Sequence, residues 1–109
     1  DNGKEKKEVV KETVIEIPTF DIKFIVQIGV WEADVNTETL KNINSIGGAE
    51  KIRDNGSLYK YIAGRYNSLS EAEFRKSEVS QNGFSDSFIY AEKDGKRIKV
   101  REAVKFLNK

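Results

Sequence analysis

The stretch Phe24-Ile25-Val26-Gln27-Ile28-Gly29-Val30-Trp31 is the part of the chain around which the rest can be arranged. It is rich in β-branched and aromatic residues and runs into the acidic residues Glu32 and Asp34, a pattern typical of a central β-strand. Because side chains alternate between the two faces of a sheet, one set is expected in the core: Phe24, Val26 and Ile28. The other set is expected on an open face: Ile25, Gln27 and Gly29. A polar side chain beside a glycine on an open sheet predicts a surface on which a flat ligand can lie.

Length and composition limit the classes of protein to which the chain can belong. Its 109 residues predict one domain with a modest core. No stretch approaches the roughly 20 apolar residues that a membrane-spanning helix needs. The chain has no cysteine and no histidine, which excludes thiolate and imidazole nucleophiles, histidine bases and soft metal sites. No signal peptide is visible and the first residue is Asp1, so we expect an excised fragment or a mature form.

The charges are unevenly distributed along the chain. The formal net charge is +1, but residues 92–109 contain seven basic and three acidic residues, a net of +4. The rest of the chain is therefore net negative. Because a nucleic-acid-binding protein usually carries its basic residues over the reading surface, this distribution argues against nucleic acid as a partner.

Periodicity, caps and turn residues predict the order β-α-β-β-α-β followed by a helix. Asn36 or Thr37 caps the first helix, Ser68 with Glu71 has capping-box spacing, and Asp54-Asn55-Gly56 predicts a hairpin. The predicted elements are a strand at 22–31, a helix at 36–46, strands at 49–53 and 58–64, a helix at 69–81, a strand at 85–92, a turn at 93–96 and a helix at 100–107.

This order is the split βαβ pattern, an α+β fold of the ferredoxin-like or RNP-like kind. It has a four-stranded antiparallel sheet with two helices on one face and leaves the other face partly open. We expect a linker or lead-in at 1–20, the domain itself at 21–98, and a C-terminal helix at 99–109 that packs on the sheet edge or covers the open face. An internal repeat supports this organisation, because three pairs lie 35 positions apart: Gly29 and Gly64, Trp31 and Tyr66, and Gly48 and Gly83.

The glycine of the second half sets the faces of the third strand by analogy with the first. One set is assigned to the core: Tyr59, Tyr61 and Ala63. The other set is assigned to the open face: Leu58, Lys60 and Ile62. The alternative exchanges the two sets and exposes the tyrosines. Trp31 and Tyr66 are expected to close the core, with sugar stacking as the alternative. Arg65 is expected to be exposed and able to bind a carboxylate with two hydrogen bonds, and the charges of the second helix to form a solvated face.

Five segments in order make the chain resemble the SPOR domain, the sporulation-related repeat domain of bacterial cell-envelope proteins. The resemblance spans residues 22–98, and its ending is of the kind common in Bacteroidetes members. The segments are Val26-Gln27-Ile28-Gly29-Val30-Trp31, Ala63-Gly64-Arg65-Tyr66, Ser70-Glu71-Ala72-Glu73, and Gly83 to Tyr90 with Asp94 to Ile98. The chain departs from the family in having Trp31 in place of the usual phenylalanine and Leu58 where several members have tryptophan.

The resemblance implies a binding module rather than an enzyme, with no cofactor. Its ligand would be peptidoglycan glycan stripped of stem peptides at division septa, which places the domain in the periplasm or cell envelope. By position, the resemblance implies four glycan-binding residues: Gln27, Leu58, Lys60 and Ile62. Gly29 and Arg65 join this predicted site because they are expected beside Gln27 and at the end of the open face.

Three other functions are consistent with parts of the pattern. A cell-envelope protein partner could cover the apolar strip that Leu58 and Ile62 are expected to form, and this is the main alternative. RNA recognition needs aromatic side chains on the two central strands, where the assigned open face has none. A glycosidase needs two carboxylates across a cleft, and neither the first nor the third strand carries one.

Overall fold

The computed structural model describes residues 20–32 and 35–108. The predicted lead-in at 1–20, including a partly alternating stretch before Pro18, therefore lies outside the described residues except for Phe20. The described elements, in chain order, are β1 Ile22–Glu32, α1 Thr37–Ile46, β2 Glu50–Asn55, β3 Leu58–Tyr66, α2 Leu69–Gln81, β4 Phe88–Lys93, β5 Lys96–Ile98 and α3 Val100–Leu107. The strands form one sheet in the order β2-β3-β1-β4-β5, and every neighbouring pair is antiparallel.

The α+β class and the antiparallel sheet are confirmed, but within residues 20–32 and 35–108 the sheet has five strands where four were predicted. The additional strand is β5, which follows a two-residue turn at Asp94 and Gly95. Both turn residues have a positive φ, 52° and 85°, as a type I′ hairpin requires. The Asp-Gly pair is thus a hairpin signal. The prediction of a turn at 93–96 did not include the strand that follows this turn.

The predicted hairpin between β2 and β3 is present, but its turn is shifted by one residue. Asn55 pairs with Leu58, so Gly56 and Ser57 form the turn and only Gly56 has a positive φ, 57°. Asp54 has no partner in the register and is the extra residue of a bulge. The glycine alone supplies the conformation that was expected of the Asn-Gly pair.

All three helices pack on one face of the sheet, which we call the helix side; we call the opposite face the far face. The side chains of Phe24 and Val26 are fully buried on the helix side, and burying each contributes about 1.5–3 kcal/mol. The buried residues of this main core are Ile22, Phe24, Val26, Ile28, Ile43, Tyr61, Ala63, Ala72, Val79, Ala91 and Ala103. The assignment of β1 and β3 side chains to the core is therefore confirmed, and the exchanged faces for the tyrosines are wrong.

The helices begin where the sequence predicts. The Asn36 side chain accepts a hydrogen bond from the Thr39 backbone N–H at 2.8 Å, and Ser68 accepts one from Glu71 at 3.2 Å. The C-terminal helix α3 contributes Ala103 to the main core, so it lies on the helix side and does not cover the far face.

Two bulges interrupt the pairing of β1 with β3. Gln27 pairs with Ile62 while Gly29 pairs with Tyr61, so β1 carries one extra residue between these pairs. On the other side of Gln27, Ile25 pairs with Arg65, and here the extra residue is on β3, next to Gly64. Each bulge shifts the alternation of its strand by one residue. Gly29 therefore faces the helix side, and its predicted place on the open face is wrong.

Each bulge glycine lies under the aromatic ring two residues later. A Cβ atom on Gly29 would come within 2.6 Å of the Trp31 ring, and one on Gly64 within 2.5 Å of the Tyr66 hydroxyl. The Trp31 ring packs edge-on against Tyr61 at 5.7 Å between centroids, inside the main core. The repeated Gly-x-aromatic motif is thus a packing device on the helix side, and neither ring is a stacking platform on the far face.

The bulge in β3 frees the Ala63 carbonyl, which two side chains then bind. The Tyr66 hydroxyl donates to it at 2.8 Å and the Arg75 Nε at 3.1 Å. The Arg75 guanidinium also donates to the Gly47 carbonyl and forms an ion pair with Glu78 at 3.1 Å. The prediction that the α2 charges form only a solvated face is therefore wrong for Arg75, which connects α2 to the bulge and to the end of α1.

Three glycine substitutions separate the two constraints on the β3 bulge, which are the positive φ of Gly64 and the close approach of the Tyr66 ring. Gly64→Ala combines a φ of 113° with the overlap against Tyr66, Gly83→Ala has a similar φ of 101° with open space around it, and Gly29→Ala has only the overlap with Trp31. A left-handed alanine costs about 1–2 kcal/mol and overpacking about 1–3 kcal/mol. We therefore expect Gly64→Ala to lower the free energy of unfolding most, as measured by urea denaturation. Equal losses for Gly64→Ala and Gly83→Ala would show that the ring does not constrain the bulge.

Candidate functional site

The far face has a small buried cluster of its own. Ile25, Ile62 and Tyr90 are buried there, and Ile52 packs against them. The register explains the grouping, since Ile25 lies opposite Tyr90 and Gln27 lies opposite both Ile62 and Phe88. Of the described residues, none in a helix belongs to this cluster. The far face is thus an apolar floor built by β1, β2, β3 and β4.

Five of the six predicted site residues share the far face: Gln27, Leu58, Lys60, Ile62 and Arg65. Gly29 is the exception, because the β1 bulge turns it to the helix side. Ile62 has no exposed surface and Leu58 is half-buried. The apolar strip that these two residues were expected to expose is therefore not available to a partner.

Gln27 was expected to stand on an open surface, but only 8% of its surface is exposed. Within residues 20–32 and 35–108, no group forms a hydrogen bond with its side-chain amide. A buried amide without a partner costs about 1–3 kcal/mol, because it has lost its bonds to water. Gln27 is therefore a polar group held at a cost in the middle of the far face.

Tyr90 forms the centre of a cluster with two cations. The Lys60 ammonium donates a 2.7 Å hydrogen bond to the Tyr90 hydroxyl and lies 4.6 Å from the ring centroid. The Arg97 guanidinium lies 4.3 Å from the same centroid and 5.9 Å from that of Phe88. Cation–π contacts of this kind contribute about 0.5–2 kcal/mol, so the ring holds both cations over the face.

Phe88 extends this cluster to the surface. It precedes Tyr90 by two residues on β4, the two ring centroids are 6.4 Å apart, and 40% of Phe88 is exposed. Sequence reasoning missed Phe88, Tyr90 and Arg97 as site residues. The alternation of Phe88 and Tyr90 was visible, but no face had been assigned to β4, and Arg97 depends on the unpredicted strand β5.

Arg65 is engaged differently from the other cations of the far face. Its guanidinium donates a 2.6 Å hydrogen bond to Glu50 on β2. That bond, reinforced by the negative charge of Glu50, raises the pKa of Arg65 above its ordinary value although partial burial opposes the shift. Because 43% of the Arg65 side chain and 51% of Glu50 are exposed, the pair contributes about 0–1 kcal/mol to stability. The predicted carboxylate-binding arginine is therefore already occupied by a carboxylate.

The far face thus combines an apolar floor, a buried amide, two aromatic rings and two cations, a set suited to binding a flat polar ligand with negative charge.

Among the described residues, no cluster of acidic side chains could hold a metal ion, and no helix is long and apolar enough to cross a membrane. Comparison with family models, curated proteins and solved structures finds no match to this chain. The SPOR resemblance stays a prediction from the motifs.

The unpartnered amide makes a prediction about stability. Gln27→Met keeps the length of the side chain and removes the amide, so we expect the free energy of unfolding to rise by about 1 kcal/mol in urea denaturation. Ser87→Ala is the matched control, because Ser87 is also buried (4% exposed) but its hydroxyl lies 3.2 Å from that of Ser80. This control should lose stability. A loss in Gln27→Met as large as in the control would contradict the assignment of Gln27 as unsatisfied.

Proposed function

We propose that this domain binds peptidoglycan glycan strands that lack stem peptides, on the far face of its sheet, and that it does so at division septa in the periplasm or cell envelope. The same proposal treats β1 to β4 with α1 and α2 as a ferredoxin-like unit, to which β5 and α3 are added. The strand order β2-β3-β1-β4 supports this arrangement. In this proposal the domain binds the glycan and does not cleave it.

The observation that carries the proposal is the aromatic and cationic cluster of Phe88, Tyr90, Lys60 and Arg97 on β3, β4 and β5. Stripped glycan is a ribbon of amino sugars that carries amides, hydroxyls and one lactyl carboxylate per disaccharide. The half-exposed Phe88 ring offers an apolar surface to a sugar ring, the Gln27 amide can both donate to and accept from an acetamido group, and the cations match the carboxylate.

The alternative of a cell-envelope protein partner is less well supported than the sequence suggested. It relied on an exposed strip at Leu58 and Ile62, and Ile62 is fully buried. RNA has one new argument in its favour, because Phe88 and Tyr90 place aromatic rings on the far face. Those rings lie on β4, however, and the far-face residues of β1 and β3 include no aromatic side chain. Nucleic acid is therefore included in the test as a competing ligand.

Co-sedimentation with sacculi tests the proposal. The domain should sediment with sacculi from which an amidase has removed the stem peptides, and much less with intact sacculi. Phe88→Ala should weaken this binding about tenfold, since the loss of an aromatic contact costs about 1–2 kcal/mol. Phe74→Ala is the matched control, because Phe74 is 69% exposed but lies on α2. It should bind like the parent protein.

Two outcomes would contradict the proposal. The first is the absence of sedimentation with both preparations while single-stranded RNA or DNA oligonucleotides bind in a fluorescence anisotropy titration. The second is equal weakening by Phe88→Ala and Phe74→Ala, which would show that the far face is not the binding surface. Circular dichroism of each variant establishes that it is folded.

A further inference from the structure

Among the described residues, the two cations on Tyr90 differ from Arg65 and Lys23, the other basic residues near the far face, in having no acidic partner. Arg65 pairs with Glu50, and Lys23 lies 3.0 Å from Asp21. Within the described residues, neither Lys60 nor Arg97 has a carboxylate within 4.0 Å. Their positive charges are therefore free to meet an anionic ligand.

The position of Arg97 makes this absence notable. Its cross-strand neighbour on β4 is Glu92, which the register places directly opposite. Opposite charges at such positions commonly form an ion pair. Here the Arg97 guanidinium lies over the Tyr90 ring instead. Glu92 is near enough to Arg65 to contribute to the raised pKa of that residue. The arrangement thus keeps Arg97 on the same ring as Lys60, on the far face.

The chemistry of the ligand changes when its stem peptide is removed. In intact peptidoglycan the lactyl carboxyl group is joined to the stem peptide through an amide bond and carries no charge. Hydrolysis of that amide by water releases the amine of the peptide and leaves a carboxylate on the glycan. A free lactyl carboxylate is therefore the product of the reaction that strips the glycan, and the glycan backbone lacks it before that reaction.

We propose that Lys60 and Arg97 recognise this newly formed carboxylate, so that the domain distinguishes stripped from intact glycan by the charge at the lactyl position and not only by the absence of a bulky peptide. This inference rests on the proposed function. It assigns the carboxylate to a site other than Arg65, which is bound to Glu50. It also makes an amide-hydrolysing enzyme the supplier of the ligand.

Modification of the ligand tests the inference without altering the fold of the protein. Amidase-stripped sacculi are divided into two portions, and in one portion the carboxylates are converted to neutral primary amides with a carbodiimide and ammonium chloride. The modified glycan still lacks stem peptides but has lost its lactyl charges. We expect the parent domain to bind it at least about tenfold more weakly, because the amide cannot replace the charge-assisted hydrogen bonds that the carboxylate accepts. Binding to the unmodified portion should also weaken as salt is raised from 50 to 500 mM.

Substitutions in the protein supply the second measurement. Lys60→Met and Arg97→Gln should each weaken binding to unmodified stripped sacculi about tenfold and should no longer distinguish the two portions as strongly as the parent. Lys96→Gln is the matched control, since Lys96 precedes Arg97 on β5 and its side chain points away from the far face. Arg65→Gln should change the affinity by less than about threefold, because Arg65 is already paired.

The outcomes separate this inference from the function on which it rests. Binding to the stripped portion with loss on the amidated portion supports the inference. Equal binding to both portions overturns it and leaves glycan recognition intact. Absence of binding to either portion overturns the proposed function, and the carboxylate assignment with it. Equal effects of Arg97→Gln and Lys96→Gln would also overturn the assignment.

Discussion

The bulge at Gly64 is the constraint on which the rest of this structure depends. It adds one residue to β3, and the carbonyl of Ala63 thereby loses its place in the pairing with β1. An unpaired buried carbonyl costs about 1–3 kcal/mol. Tyr66 folds back over the glycine to donate to it, and Arg75 donates to it from α2. The Arg75 side chain also donates to the Gly47 carbonyl. One backbone irregularity therefore fixes α2, the end of α1 and the C-terminal end of β3 relative to one another.

The paired bulges also decide which residues reach the far face. Without the extra residue in β1, strict alternation would put Gly29 and Trp31 on the same face as Gln27. The bulge moves both to the helix side and gives Val30 their place opposite Lys60. Trp31 then packs against Tyr61 and Phe84, at 5.7 and 6.1 Å between centroids. Because the core receives these rings, the far-face side chains of β1 and β3 are aliphatic residues, cations and the Gln27 amide, and the aromatic rings of the far face are those of Phe88 and Tyr90 on β4.

The sequence predicted well whatever local patterns determine. Both helix caps, the bounds of α2 and the alternation of β1 before Gly29 were predicted from local signals, and the core set of β3 from its analogy with β1. The 35-residue repeat correctly identified Gly29 and Gly64 as equivalent positions. What it could not reveal is that each glycine marks a bulge, because a glycine in a strand is equally compatible with regular pairing. The period of two was therefore extended one residue too far, and Gly29 was assigned to the wrong face.

The rest of the candidate site could not be predicted because it depends on contacts between distant parts of the chain. Lys60 and Tyr90 are 30 residues apart, and Arg97 reaches the same ring only because β5 pairs with β4. Arg65 is the kind of side chain that binds a carboxylate ligand, but its guanidinium already donates to the carboxylate of Glu50 on β2. No pattern within a single strand shows which of several basic side chains is already paired.

The buried apolar floor beneath Lys60 and Arg97 affects how strongly these cations can attract a negatively charged ligand. Ile25 and Ile62 have no exposed surface and Tyr90 has 5%, so Lys60 and Arg97 rest on an apolar layer that is shielded from solvent. The attraction between two charges grows as the effective dielectric constant falls, from about 1 kcal/mol at 4 Å in water to about 4 kcal/mol near a protein surface. A ligand that covers Phe88 would exclude further water from this layer. The apolar floor and the two cations therefore act together. The floor strengthens the attraction between the cations and a single carboxylate on the ligand beyond what a fully solvated surface would allow. This coupling gives a physical reason for a domain to place unpaired cations over its most deeply buried far-face residues.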